Sequence, residues 1–156
     1  VRLKRFSAAI GVWAVLVLQP MSATQAAPRV DPLSKSESQR DCGCTFSVPP
    51  SKAWQGKPIA AWNADSPALM RIDGLPMTLE VKAEYLWRGT DRSQRVGDRT
   101  RYTLIGVNTV VTFDCTAIEV CLPDNESCES TQYRAQVSVV SPKGRRRFPA
   151  WGSCGC

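Results

Sequence analysis

Three stretches of the chain alternate apolar and polar residues with a period of two, the pattern of strands buried on one face. In "MTLEVKAEYLWR", Leu79, Val81, Ala83, Tyr85 and Trp87 share one face, and Glu80, Lys82, Glu84 and Arg88 the other. In "TQYRAQVSVV", Tyr133, Ala135, Val137 and Val139 oppose Arg134, Gln136 and Ser138. "RYTLIGVNTVVTFDC" starts with Tyr102 and Leu104 on one phase, then continues with Val107, Thr109, Val111, Phe113 and Cys115 on the other. A phase change inside one strand needs an extra residue, and Gly106 stands where a β-bulge would supply it. Asp73-Gly74 predicts a two-residue hairpin turn, with Pro76 limiting pairing just after it. No segment shows a helical period, and "SKAWQGKPIAAW" allows at most one short helix. The expected fold is all-β: a small disulfide-stabilised antiparallel barrel or sandwich of about five to six strands, with at most one short helix.

The first residues read differently. Arg2, Lys4 and Arg5 precede an apolar run from Phe6 to Leu18, and Gln19 to Ala27 are polar or small. As a helix that run rises about 20 Å, short of the roughly 30 Å hydrocarbon core. It is expected to be a cleaved signal peptide over residues 1–26, with the cut before Ala27 and no membrane span in the mature chain. The start at Val1 is expected of a bacterial alternative start codon. Residues 27–41 are polar and rich in Pro and Ser, and are expected as a flexible leader. Residues 42–156 are long enough for one cored domain.

Cleavage changes the charge. Of twenty Lys and Arg, three lie in the signal, so against fourteen Asp and Glu the mature net is 17 − 14 = +3. That excess is too small to suggest nucleic acid. The charges are nevertheless grouped. Arg92, Arg95 and Arg99 fall in the loop over 89–99, and Arg145, Arg146 and Arg147 in "KGRRR" within a loop over 142–151 that also holds Trp151. The 114–131 stretch is expected as an acidic loop with three cysteines. The two basic loops are the candidate contact surface for an acidic partner.

Seven cysteines in an exported chain of this length point to a disulfide framework: Cys42, Cys44, Cys115, Cys121, Cys128, Cys154 and Cys156. Residues i and i+2 of a strand face the same way, so each Cys-Gly-Cys presents two sulfurs on one side. The two motifs are expected to tie the ends of the domain together, with the connectivity open and one cysteine left over. A weaker alternative is a four-thiolate zinc or copper site made by Cys42, Cys44, Cys154 and Cys156.

No histidine occurs anywhere in the chain, which excludes Ser-His-Asp and Cys-His nucleophile systems, HExxH sites and imidazole ligands. No Gly-rich phosphate loop is present, and Asp124 with Glu126 read as solvated loop carboxylates. An exported domain with Cys-X-Cys near its start and at its end resembles the netrin-like modules, some of which inhibit metalloproteinases through a free N-terminal cysteine. Cys42 lies about fifteen residues beyond the expected cut, so that mechanism does not carry over. In size the chain is also similar to small periplasmic β-barrels such as lysozyme inhibitors. The expectation is a periplasmic or secreted, non-enzymatic binding module without cofactor, an inhibitor or envelope-associated protein, with the thiolate metal protein as its alternative.

Overall fold

The computed structural model describes residues 26–48, 56–86, 94–121 and 130–156. All but the last residue of the expected signal peptide, together with Trp54, Arg92, Asp124, Glu126 and Cys128, lie outside these residues. In chain order the elements are β1 (Val30–Asp31), α1 (Lys35–Ser38), β2 (Gly43–Ser47), β3 (Pro58–Asn63), β4 (Ala68–Ile72) and β5 (Leu75–Tyr85). They continue with β6 (Arg99–Gly106), β7 (Thr109–Glu119), β8 (Ser130–Ser141) and β9 (Gly144–Gly155). From β2 to β9 each strand pairs antiparallel with the next, and β9 returns to pair with β2. The result is a closed eight-stranded up-and-down barrel, with β1 added beside the lower half of β4. The all-β class is as expected from the period-two pattern, whereas the strand count exceeds five to six.

The extra strands are those whose alternation is masked. In β3, Ala60 and Trp62 face the barrel interior, yet Ile59 and Ala61 on the opposite phase are buried too. Leu33 and α1 cover that outer side, and the Leu33 N–H donates to the Pro58 carbonyl at 2.7 Å. A strand buried on both faces loses its period, and this one lies where at most a short helix was expected. The short helix present is α1. Residues 27–41, expected as a flexible leader, include β1 and α1, which pack on β4 and β3. Ser34 and Glu37 form a capping box around α1, and Glu37 also accepts from Arg71 Nη2 at 2.9 Å, tying α1 to β4.

β9 occupies what was expected as the 142–151 loop. Pro149, three glycines and an arginine run hide its alternation, but it pairs with β8 along its whole length. Phe148, Ala150 and Cys154 face in; Arg145, Arg147 and Trp151 face out. The acidic 114–131 stretch also begins as strand, because β7 continues to Glu119. The phase change near Gly106 has a simpler cause than a bulge. Val107 and Asn108 form a tight turn between β6 and β7, Asn108 adopts φ 54°, and Gly106 pairs with Thr109 without a register shift. Asp73 (φ 55°) and Gly74 (φ 83°) make the expected hairpin, although Pro76 still pairs with Arg71.

The barrel interior is filled by Phe46, Met70, Leu79, Leu104, Val111, Phe113, Val137 and Val139, all fully buried. Phe46 stacks on Trp62 at 5.5 Å between centroids and lies 4.7 Å from Phe113, while Tyr102 meets the Trp62 ring edge-on at 5.4 Å. Phe46 reaches this position because its cross-strand partner is Gly152, where any Cβ would overlap the Phe46 ring. One barrel end is closed: Pro28 is fully buried there, and Asp73 and Asp31 accept backbone N–H bonds from Arg29 and Gly74.

Gly152→Val should therefore destabilise the fold by about 1–3 kcal/mol, as expected of overpacking, read as a lower midpoint in chemical denaturation. A second expectation concerns pH. Hydrogen bonds from Arg71 and then from the Ser34 backbone hold the Glu37 carboxyl at about 2, down from an ordinary 4.5. A carboxylate with a depressed folded pKa stabilises the fold above its unfolded value, and that contribution is lost as pH falls through the folded one. The attachment of α1 should weaken as pH drops from about 4.5 to about 2. Amide exchange at Leu33 should report this, and Glu37→Gln should abolish the pH dependence.

Candidate functional site

The paired Cys-Gly-Cys motifs meet at the barrel's seam. Cys44 on β2 lies directly opposite Cys154 on β9, with Gly43 opposite Gly155. Disulfides join Cys42 to Cys156 and Cys44 to Cys154, each with Cα atoms 4.1 Å apart and sequence separations of 114 and 110. The expected tie between the domain's ends is present, with its connectivity now fixed. Gly43 is required by proximity: a Cβ there would strike the Trp62 backbone carbonyl of β3. The four sulfurs proposed for a metal are thus in two disulfides, and no metal-sized group of acidic or cysteine side chains gathers among the described residues.

Of the other cysteines, Cys121 is disulfide-bonded. Cys115 is a free thiol on the inward face of β7. Burial, reinforced by Asp114, pushes its pKa well above the usual range, so it stays protonated. Burial likewise raises Tyr102 and Tyr133, and the Tyr133 hydroxyl lies 3.0 Å from Gln94 Oε1.

Next to the seam the barrel is open. A cleft of about 760 Å3 lies between the disulfide corner, the turn after β3 and the upper part of β5. Both seam disulfides, Trp62 and Tyr102 form one wall; Asp65 and Pro67 of the turn form another; Glu80, Val81, Ala83 and Tyr85 form the third. Among the described residues, the charged side chains of this lining are those of Asp65 and Glu80, with no Lys or Arg.

The second feature is the outer face of β6 to β9. Register places Arg99, Thr116, Arg134 and Trp151 in one row across the four strands, followed by Ser47 on β2. Arg101 pairs with Asp114 at 2.7 Å in the neighbouring row, and Arg147 and Arg145 continue the outward phase along β9. Arg99, Arg134, Arg145 and Arg147 are exposed and make no salt bridge among the described residues.

The sequence-predicted binding residues therefore divide. Arg99, Arg145, Arg147 and Trp151 share this face. Arg134, overlooked because it reads as an ordinary polar strand position, lies between Arg99 and Trp151. Arg146 does not belong to the face. It has the inward phase at the closed end, where its guanidinium lies 5.4 Å above the Phe148 ring and reaches the Pro28 carbonyl. Arg95 is exposed in the segment before β6, its backbone N–H donating to Asp98 Oδ2 at 2.7 Å. The cleft had no single-residue signal in the sequence, since its walls come from five separate stretches of the chain.

An apolar interior with arginines outside is the reverse of a barrel that faces lipid, and no described helix is long and apolar enough to cross a membrane. The protein is thus a disulfide-closed, eight-stranded up-and-down barrel. No family model, curated protein or solved structure matches the chain.

The nested disulfides lead to a non-additive expectation. In the chain-entropy model, closing a loop of about 110 residues contributes about 5 kcal/mol, and the second bond, closing only the small ring of the two motifs, about 2 kcal/mol. Replacing either pair with Ser should cost about 2 kcal/mol and replacing both pairs about 7 kcal/mol, more than the sum. Denaturation of the three variants measures this; equal and additive losses would contradict it.

Proposed function

We propose that this protein is an exported, non-enzymatic binding module, periplasmic or secreted, that engages an acidic protein or envelope component through the outer face of β6 to β9. The observation that carries this reading is the row of Arg99, Arg134 and Trp151, extended by Arg145 and Arg147. These are arginines without carboxylate partners among the described residues, beside a half-buried indole. Guanidinium groups suit such a surface because they are weakly hydrated and bond carboxylate or phosphate in a bidentate way. Disulfides place the chain in an oxidising compartment, and the basic-then-apolar opening over residues 1–26 supports export by a signal peptide. The lack of any histidine and the protonated, buried Cys115 thiol support a role without catalysis.

The thiolate metal reading has one observation in its favour: register brings four sulfurs to one corner. It requires both disulfides to be reduced in the working protein. Thiol counting by mass spectrometry on natively purified protein separates the two readings. One thiol, at Cys115, favours the binding module; four more with bound metal favour the alternative.

The basic face is tested by Arg99→Ala, Arg134→Ala, Arg145→Ala and Arg147→Ala combined. Stability should stay within about 1 kcal/mol, since all four are exposed. Retention on an immobilised polyanion should fall, eluting at clearly lower salt. Arg146→Ala should leave retention unchanged. If the combined variant elutes with the parent, this face is not the contact surface.

A further inference from the structure

We infer that the cleft at the open end takes an extended peptide as an added strand on β5, with a lysine or arginine side chain turned into the cleft. This site is separate from the basic outer face, and neither depends on the other.

The backbone carries the first half of the argument. β4 ends opposite Leu79, so among the described residues the strand β5 pairs from Glu80 to Glu84 with β6 alone. The Leu86 N–H donates to the Arg99 carbonyl at 2.9 Å, which makes that pair hydrogen-bonded; by alternation Glu84 with Arg101 and Lys82 with Thr103 are hydrogen-bonded as well. Val81 and Ala83 therefore turn their N–H and C=O groups away from β6, into the gap that β4 leaves. Leu79 has the same phase and faces β4, which agrees with this assignment. The side chains show the same opening. Ala83 and Tyr85 have the inward phase of a barrel strand yet are exposed, Tyr85 at 62%. A strand edge of this kind is a template for β-augmentation.

Charge and shape select the occupant. The carboxylates of Asp65 and Glu80 line the cleft, Glu80 with the exposed Lys82 ammonium 3.6 Å away; no basic residue belongs to the lining among the described residues, and Trp62, Tyr102 and Tyr85 supply aromatic surface. Carboxylates beside aromatic rings favour an ammonium or guanidinium group. The far side of the cleft is closed by the turn after β3 and the disulfide corner. A strand entering there can carry no sheet on its other edge, which favours a single peptide over the edge of a second barrel.

The probe is a short capped peptide of alternating threonine and valine with a central arginine, compared by calorimetry with its central-glutamate counterpart. The arginine peptide should bind saturably, and the glutamate peptide about tenfold or more weakly. Asp65→Asn with Glu80→Gln should weaken the arginine peptide by about tenfold. N-methylating the peptide amides on one edge should abolish binding and on the other leave it intact. Ala83→Pro should abolish it while preserving the barrel, since the Ala83 N–H is outside the ladder. Absence of saturable binding, equal binding of the two peptides, or indifference to N-methylation on both edges would overturn the proposal. So would a concentration-dependent dimer that Ala83→Pro dissolves, which would assign the edge to a second copy of the chain.

Discussion

Seven of the eight pairings around the barrel join strands adjacent in the chain, whereas the eighth, β2 to β9, joins residues about 110 positions apart and alone converts the sheet into a closed surface. Hairpins form at small loop entropy, but this contact carries the largest chain-closure cost in the fold. Both long-range disulfides sit at that contact. The covalent constraint is therefore applied where non-covalent pairing is least favoured by chain entropy. Without it, β2 and β9 would be two free edges, open to pairing with other chains.

The seam is also part of the core. Phe46 belongs to β2 and lies against Gly152 of β9, while its ring packs on Trp62 of β3 and Phe113 of β7. The Phe46–Phe113 contact crosses the barrel and, like the fit against Gly152, exists only when it is closed. Closing the seam and burying the aromatic cluster are thus a single event. Alternation fixes the register, because a slip of one residue would turn Phe46 and Cys44 outward together.

Strands buried on one face were legible in the sequence, as in β5 and β8, where Leu79 and Val81 or Val137 and Val139 stand against charged or polar neighbours. β3 was not, because α1 and Leu33 cover its outer side and remove the polar phase at Ile59 and Ala61. β9 was obscured by composition: Arg145 to Arg147 and Pro149 read as loop although all of them pair with β8. The turn at Val107-Asn108 went unseen because it lacks the usual Asn-Gly pair, so its change of phase resembled a bulge. The two cysteine motifs showed that distant segments meet, but one of them had to be known as a strand before the pairing could be read. The basic face was legible as residue types and illegible as a surface, since Arg134 and Arg146 exchange roles once the register is fixed.

The two ends of the barrel differ because the strands differ in length. β5 has eleven residues and its neighbour β4 only five, so the hairpin they share is flush at the Asp73-Gly74 turn and ragged at the other end. The flush end is sealed by residues 28–31, with Pro28 buried and Arg146 reaching over it. At the ragged end β5 overhangs, and among the described residues no strand pairs with Val81 and Ala83 on the side away from β6. The opposite wall of that opening is the pair of seam disulfides, whose backbone is fixed covalently as well as by pairing with β3. A cleft with one locked wall loses little conformational freedom when filled, which is the condition under which few contacts suffice for binding. The constraint that closes the barrel thus also holds its remaining opening in shape.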